Sequence, residues 1–175
     1  VTRLYVRAAR LLTLGKEVGR GGEGNVFEVT GAPGTLAKIY AQSPTPDRVD
    51  KLTTMVAGSS DRLLRISAWP TELLFDKPRG RLVGFAMPRV TGHRELHELY
   101  SPAHRKQEFP EADWSFLIHT ARNLAAAIEA VHQEGHVIGD LNQKGVLVSS
   151  KGMVTLIDCD SFQIQANGRL FFCEV

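Results

Sequence analysis

Cysteine is scarce in this chain. Only Cys159 and Cys173 occur among 175 residues, which is too few for a disulfide framework or a zinc site. A reducing compartment fits this composition, and we expect a cytoplasmic protein. No run of about 18 apolar residues is present to span a bilayer, and the first residues lack the apolar segment of a signal peptide. The sequence therefore predicts a soluble protein without a membrane partner.

A strong charge of either sign is also missing. Lysine and arginine total 21 against 19 acidic residues, and a formal charge of +2 does not predict a nucleic-acid partner. The basic grouping at 104–106 is short and is best explained as a solvated loop. With 43% hydrophobic and 23% charged residues, a chain of this length should fold as one domain or two small lobes. Because residue 1 is Val1 rather than methionine, we expect that the chain is trimmed from a longer one.

The two halves of the chain have different patterns. The first half predicts five strands and one helix in a small, mainly antiparallel sheet, with the helix at 47–57 and a hairpin at 72–75 and 82–87. After Pro88 the pattern becomes helical, with a short helix at 94–100 and a long one from Trp114 that ends before Gly135. A second hairpin follows at 146–148 and 154–157. We therefore predict two parts, residues 1–88 and residues 89–175.

A glycine cluster lies between the first two predicted strands. Gly19, Gly21, Gly24 and Val26 match the pattern G-x-G-x-x-G-x-V, in which missing Cβ atoms let backbone N–H groups approach phosphate oxygens. Taken alone, the motif is better explained as a glycine-rich hairpin turn. A Rossmann site is disfavoured, because a strand rather than a helix follows the glycines.

Three charged residues follow in an order that suggests phosphate chemistry. Lys38 lies within a mostly apolar strand and needs an anionic partner such as a phosphate, unless it is an edge-strand lysine pointing to water. Asp140 and Asp158 flank the second predicted hairpin, which should return them to one neighbourhood. One would then act as base or orienter and the other as a Mg²⁺ ligand. Singly, each is more readily explained as a turn or cap aspartate.

In this order the motifs resemble those of protein kinases over residues 14–162. The resemblance implies an α+β, bilobal protein-kinase-like fold with a five-stranded antiparallel N-lobe, one N-lobe helix and a helical C-lobe. It implies ATP and Mg²⁺ as cofactors and γ-phosphate transfer to a Ser/Thr hydroxyl of a protein. The roles that it implies are the glycine-rich loop for Gly19, Gly21, Gly24 and Val26, the phosphate-binding catalytic lysine for Lys38, the catalytic aspartate for Asp140, and the metal-binding D-F-G aspartate for Asp158.

The same resemblance assigns an adenine-binding hinge. Met87 would be the gatekeeper, Pro88 would offer adenine its carbonyl, and Val90 would supply the N–H group. Ordinary core packing also explains Met87.

More narrowly, segments at 68–74, 87–90, 139–143 and 157–162 resemble a bacterial group of Ser/Thr-kinase-like signalling proteins. That group is associated with a phosphatase and a von Willebrand-type partner in tellurite-resistance-like stress systems. The resemblance therefore implies one of these two proteins as a partner, while the protein substrate stays unidentified.

Several positions depart from the kinase pattern. Gly139 replaces the arginine that precedes the catalytic aspartate, and Gly145 replaces the second metal-binding residue, an asparagine. Asn142 could take over that metal contact, as could Gln143, although local loop hydrogen bonding suits both. The usual helix glutamate is absent. Asp50 is its nearest candidate, with a solvated surface position as the alternative.

Only 15 residues follow Asp160, so the predicted C-lobe is truncated and the long helix should expose a face that is normally covered. Two rival functions stay open. One is a small-molecule kinase resembling aminoglycoside phosphotransferases, suggested by the Gly-Asp form at 139–140. The other is a pseudokinase that binds nucleotide and acts as an interaction module, suggested by Gly145 and the short C-lobe.

Overall fold

The computed structural model describes residues 3–6 and 10–173, so the predicted outer limits of the two parts, residues 1 and 175, lie outside the described residues. The chain divides into two compact units. The first unit comprises the residues up to Ser59 together with Trp69–Arg89, and the second comprises Ser60–Ala68 together with the residues from Val90 onward. The segment Ser60–Ala68 thus belongs to the second unit, although it lies within the predicted first part of the chain.

The first unit is built on a closed antiparallel barrel. Within the described residues it has six strands in the order β1-β2-β3-β4-β6-β5. Their bounds are β1 Arg3–Tyr5, β2 Leu11–Arg20, β3 Gly24–Val29, β4 Thr35–Tyr40, β5 Glu72–Phe75 and β6 Leu82–Pro88. The prediction of five strands is wrong by one. Strand β1 was missed, and it closes the barrel by pairing with β2 and, through Tyr5 opposite Phe75, with β5.

Apolar side chains from every part of the barrel fill its interior. The buried cluster includes Leu4 from β1, Leu12 from β2, Ala37 from β4, Leu74 from β5 and Ala86 from β6. Burial of this apolar surface is the main stabilising contribution to such a barrel. A strand as short as β1 is held in place because it contributes Leu4 to this core.

One helix, α1 (Pro46–Ala57), packs on the barrel. It begins where expected, because the Thr45 hydroxyl accepts a hydrogen bond from Arg48 N and Pro46 occupies the first turn. Its inward face buries Leu52 and Met55. The indole N–H of the fully buried Trp69 donates to the Met55 carbonyl at 2.9 Å, which fixes the helix end within the first unit.

The second unit is organised around α5 (Trp114–Gln133), the predicted long helix. Asp113 caps its start by accepting from Phe116 N at 2.7 Å, and Gly135 follows its end with a left-handed φ of 82°. The helix packs against β9 and α2. On its other side the side chains of Trp114 and Ile118 remain 75% and 47% exposed.

Short elements surround α5. The other helices are α2 (Asp61–Ile66), α3 (Leu96–Tyr100) and α4 (Pro102–Glu108), and the strands form an antiparallel sheet of β7 (His93–Glu95), β8 (Val146–Ser149) and β9 (Val154–Leu156) and a hairpin of β10 (Ile164–Ala166) and β11 (Arg169–Phe171). The predicted helix at 94–100 is shorter than expected. Residues His93–Glu95 pair with β8 as a strand, and Glu95 and Glu98 form a capping box that starts α3 at Leu96. None of the helices in the described part of the chain is long and apolar enough to cross a membrane.

Candidate functional site

The glycine cluster forms a tight turn between β2 and β3. Gly21 N donates to the Gly24 carbonyl at 2.8 Å and closes the turn. Gly24 has a structural role, since a Cβ there would overlap the backbone of Ile39 in β4. At Gly22, by contrast, a Cβ would meet nothing within 4 Å. The turn therefore presents bare backbone at Gly21 and Gly22, as a phosphate-binding loop requires, with the side chain of Glu23 beside it.

The two remaining motif residues lie on the strands that carry the turn. Gly19 in β2 pairs with Val26 in β3. A Cβ at Gly19 would make an ordinary contact, 3.6 Å from Val26 Cβ. Val26 is half-buried. These residues thus position the turn.

Lys38 is a buried cation in the first unit. It lies on β4, which pairs with β3 on one side and β6 on the other, so the edge-strand explanation is wrong. Only 7% of the residue is exposed, and its Nζ lies 5.9 Å from the ring centroid of Tyr40 and 6.0 Å from that of Phe85. Burial of a charged amine is costly unless anionic groups surround it. The position therefore suits a lysine that binds an anion.

A carboxylate from the glycine turn lies close to this amine. Glu23 Oε2 is 3.7 Å from Lys38 Nζ, and Glu23 Oε1 accepts a hydrogen bond from Arg48 Nη2 at 2.8 Å. Glu23 and Arg48 are not among the site residues that the sequence predicts, and the pairing of Asp50 with Lys38 stays a prediction. The sequence contains one signal that could have identified Glu23. It is a charged residue between two glycines, and these glycines have no apolar side chains for it to cover.

The predicted adenine-binding residues lie at the end of β6. Met87 is 8% exposed and pairs with Leu36, while the half-buried Pro88 pairs with Thr35. Val90 is half-buried and begins the long part of the second unit. The burial of Met87 agrees with core packing and with a gatekeeper, so the adenine-binding roles of these residues stay predictions.

Asp140 lies in the loop between α5 and β8 and is exposed. Its Oδ2 accepts a hydrogen bond from Asn142 Nδ2 at 3.0 Å. Asn142 Oδ1 in turn accepts from Lys144 N at 2.9 Å and Gly145 N at 3.1 Å. Two backbone donors thus occupy both lone pairs of the oxygen that was predicted to bind a metal. Asn142 thus braces the loop, its metal contact stays a prediction, and Gln143 Oε1 is likewise engaged, by the Tyr100 hydroxyl.

Asp158 follows β9 in an unusual conformation. Its φ of 56° and ψ of 38° place it in the left-handed region. Two other non-glycine residues in the described ranges have positive φ, Arg79 and Asn167, and both lie in turns between paired strands. Asp158 is held by Ser161, whose Oγ donates to the Asp158 carbonyl at 2.8 Å. Such strained conformations concentrate at functional sites, and this one leaves an exposed carboxylate.

Backbone hydrogen bonding joins the two aspartate-bearing loops within the second unit. Ile157 N donates to the Gly145 carbonyl at 2.9 Å, which links the residue before Asp158 to the loop that carries Asp140. The hairpin of β8 and β9 therefore brings the two loops together, as the sequence predicted. A separate contact accounts for one departure from the kinase pattern, because a Cβ at Gly139 would overlap the side chain of Cys173.

The described residues fit a nucleotide better than a metal ion alone. Lys38 is a buried cation beside the glycine turn, and the carboxylate of Glu23 in that turn shows that an anion is accepted there. Within residues 3–6 and 10–173, no three His, Cys, Asp or Glu side chains cluster as a metal site. Mg²⁺ usually needs only one or two carboxylates when phosphates supply its other ligands. The metal-binding role of Asp158 stays a prediction.

Comparisons with known proteins show what the chain is similar to. The chain is 44% identical over 173 residues to protein kinase YegI of Escherichia coli K12, covering 99% of this chain and 27% of the relative. The corresponding kinase of Escherichia coli O157:H7 is 44% identical over 172 residues, with 98% and 27% coverage. The chain thus spans about a quarter of the length of these relatives (27%). No protein-family model matches it.

Solved structures show the same fold. A ROP18 kinase domain in complex with AMP-PNP and sucrose has a TM-score of 0.62 at 12% identity, covering 98% of this chain and 62% of that one. The kinase domain of a Toxoplasma gondii specific rhoptry antigen has a TM-score of 0.58 at 14% identity, with 92% and 53% coverage. The predicted mixed α+β, protein-kinase-like fold is therefore confirmed, and the chain is homologous to part of protein kinase YegI.

Proposed function

We propose that this chain is the ATP-binding part of a Ser/Thr protein kinase that transfers the γ-phosphate of ATP to a protein hydroxyl. The observation that carries the proposal is Lys38, a buried lysine beside the glycine turn in a kinase-like fold. Homology to protein kinase YegI over 99% of the chain supports it. A neighbour in fold was solved with AMP-PNP, which supports a nucleotide as the ligand.

Each unit would supply its own groups. In the first unit, the backbone N–H groups of the glycine turn and the Lys38 amine would bind phosphate oxygens, and Met87 and Pro88 would contact adenine, with Val90 supplying an N–H group. In the second unit, the Asp158 carboxylate would bind Mg²⁺, and the Asp140 carboxylate would accept the proton of the attacking hydroxyl. Bound Mg·ATP would supply the transferable phosphoryl group. The residues contribute positioning and charge neutralisation rather than covalent chemistry.

A second function, that of a nucleotide-binding pseudokinase, is favoured by a shortage of side-chain ligands for the second metal ion. Gly145 has no side chain where kinases carry an asparagine, and the oxygens of Asn142 and Gln143 are both engaged in hydrogen bonds. One of two kinase metal positions would then lack a ligand from this loop. If this second function holds, ATP binds and no phosphate is transferred.

The wider context is also a proposal. A partner phosphatase or von Willebrand-type protein, and a role in bacterial stress signalling, follow from the group resemblance. A cytoplasmic location stays a prediction.

The experiment uses the full-length protein that contains this chain. We expect ATP with Mg²⁺ to raise the melting temperature, and Lys38→Ala to reduce that gain. Lys16→Ala is the matched control, because Lys16 is an exposed lysine on β2 of the same barrel. No thermal shift at millimolar ATP in a folded sample would contradict the proposal.

Radiolabelled phosphate transfer then separates the kinase from the pseudokinase. Asp158→Ala should weaken Mg²⁺-dependent ATP binding. Asp140→Ala should leave binding intact and slow transfer. If Asp140→Ala transfers phosphate as fast as the parent, Asp140 has no catalytic role.

A further inference from the structure

A cluster of three charges, Glu23, Lys38 and Arg48, lies next to the glycine turn in the first unit. One carboxylate bridges two cations, with Glu23 Oε1 2.8 Å from Arg48 Nη2 and Glu23 Oε2 3.7 Å from Lys38 Nζ. Glu23 occupies a variable position of the glycine-rich motif, and Arg48 lies outside the kinase motifs found in the sequence.

The two cations are fixed by the fold. The Lys38 side chain is 9% exposed and the Arg48 side chain 13%. Both lie near the ring of Tyr40, with Lys38 Nζ at 5.9 Å and Arg48 Cζ at 5.1 Å from its centroid. An aromatic face attracts cations at such distances. The ring of Tyr40 thus helps to hold both positive charges in one place.

The carboxylate is the exposed member of the cluster. The Glu23 side chain is 46% exposed and extends from a turn whose neighbouring residue, Gly22, carries no side chain. Its backbone is anchored, because Ala41 N donates to the Glu23 carbonyl at 2.9 Å. The side chain can therefore swing into solvent by changing rotamer while the strands stay paired. A phosphate group has the charge and the acceptor oxygens to take its place between the two cations.

We propose that Arg48 is a second phosphate-binding cation beside Lys38, and that Glu23 is a built-in anion that occupies this pair until a nucleotide phosphate displaces it. This inference rests on the proposed ATP binding. Glu23 then opposes nucleotide binding, whereas a glutamate that only positioned Lys38 would promote it. Because the contact is made with phosphates, the effect of both residues grows with the number of phosphates on the nucleotide.

Calorimetric titration of the full-length protein with ATP and with AMP tests the proposal. Glu23→Gln removes the competing charge and should tighten ATP binding about three- to tenfold, the effect of a partly exposed ion pair. Arg48→Gln removes a charge-assisted hydrogen bond to phosphate and should weaken ATP binding about tenfold. For AMP, both variants should stay within about twofold of the parent, since these ion-pair effects require the outer phosphates.

The matched control is Glu17→Gln. Glu17 is a carboxylate on the same hairpin that pairs with Arg20 at 3.0 Å, and its neutralisation should leave ATP affinity unchanged. Melting curves without nucleotide verify that all variants are folded.

The outcomes separate this inference from the proposed function. If Glu23→Gln binds ATP more weakly than the parent or equally well, phosphate does not displace Glu23. If Arg48→Gln binds ATP as tightly as the parent, Arg48 does not contact phosphate. In both cases the proposed function stands if the parent binds ATP and Lys38→Ala weakens that binding. If the parent binds no ATP, both proposals are wrong.

Discussion

Replacing Gly24 by alanine should destabilise the first unit by about 2–4 kcal/mol, because β3 and β4 are too close there for a side chain. A Cβ at Gly24 would overlap the carbonyl oxygen of Ile39 and lie 2.9 Å from both the carbonyl carbon of Ile39 and Tyr40 Cα. Ordinary contact begins near 3.4 Å, so the two atoms at 2.9 Å would have to retreat by 0.5 Å (3.4 − 2.9) and the overlapping Ile39 oxygen by more.

The size of the effect follows from what that retreat breaks. Gly24 pairs with Tyr40, and Asn25 pairs with Ile39, so the strands would separate where their ladder begins. Overpacking costs about 1–3 kcal/mol, and each strained ladder hydrogen bond adds about 1 kcal/mol. The neighbouring backbone cannot swing aside as a flexible side chain would.

Urea denaturation of the full-length protein measures this cost, with Gly22→Ala as the control in the same turn. A Cβ at Gly22 meets nothing within 4 Å. That variant should therefore stay within about 0.5 kcal/mol of the parent, as surface substitutions usually do. If Gly24→Ala is as stable as Gly22→Ala, the close approach of β3 and β4 does not exist in solution.

Three further predictions concern the second unit. Gly139→Ala should lower the free energy of unfolding by about 1–3 kcal/mol, because the new Cβ overlaps Cys173. Adding Cys173→Gly should recover part of that loss in a double-mutant cycle measured by urea denaturation. Additive losses would contradict the contact. Gly145→Asn places its Cβ 3.6 Å from the nearest atom, so the variant should fold normally. Its added amide oxygen should strengthen Mg²⁺-dependent ATP binding and speed phosphate transfer. An unchanged metal titration would remove that position from the metal site. Burial lowers the pKa of His136, against a smaller opposing effect of Glu134. As the pH falls, the histidine therefore becomes protonated in the unfolded chain before it does so in the folded one. The free energy of unfolding should then decrease below about pH 6.5, the ordinary pKa of histidine. His136→Asn, which retains an acceptor for the N–H of Gln165, should flatten unfolding free energies measured between about pH 7.5 and 5.5, and an equally steep profile would exclude His136 as the cause.

The sequence predicts best those elements in which a regular apolar pattern continues over many residues. α5 keeps one apolar face over five turns, and its end is marked by Gly135, which adopts the expected left-handed φ. The hairpin of β8 and β9 was recognisable because two apolar runs flank a polar turn. The order of Lys38, Asp140 and Asp158 along the chain pointed to the kinase-like fold, which the solved structures confirm.

Short elements and side-chain pairings could not be predicted in this way. β1 has three residues and α2 has six, too few for any period to be evident. The pairing of Glu23 with Arg48 joins residues 25 positions apart, and it depends on the barrel placing α1 beside the glycine turn. Asn142 could be a metal ligand or a loop brace from its sequence alone. The hydrogen bonds from Lys144 N and Gly145 N show the brace, while the metal contact stays a prediction.

The assignment of Ser60–Ala68 to the second unit has a consequence for synthesis and for fragment design. Ala68 N donates to the Leu156 carbonyl at 2.8 Å, and Ser67 forms a parallel bridge with the same residue, so this segment completes its pairing only after 88 further residues have been made (156 − 68 = 88). A nascent chain must therefore hold α2 without its partner strand for several seconds at ordinary translation rates. A fragment cut at residue 89 would leave β9 without Ser67 and Ala68 and α5 without α2. A version of the second unit that keeps its own contacts would need residues 60–68 joined by a linker to residue 90.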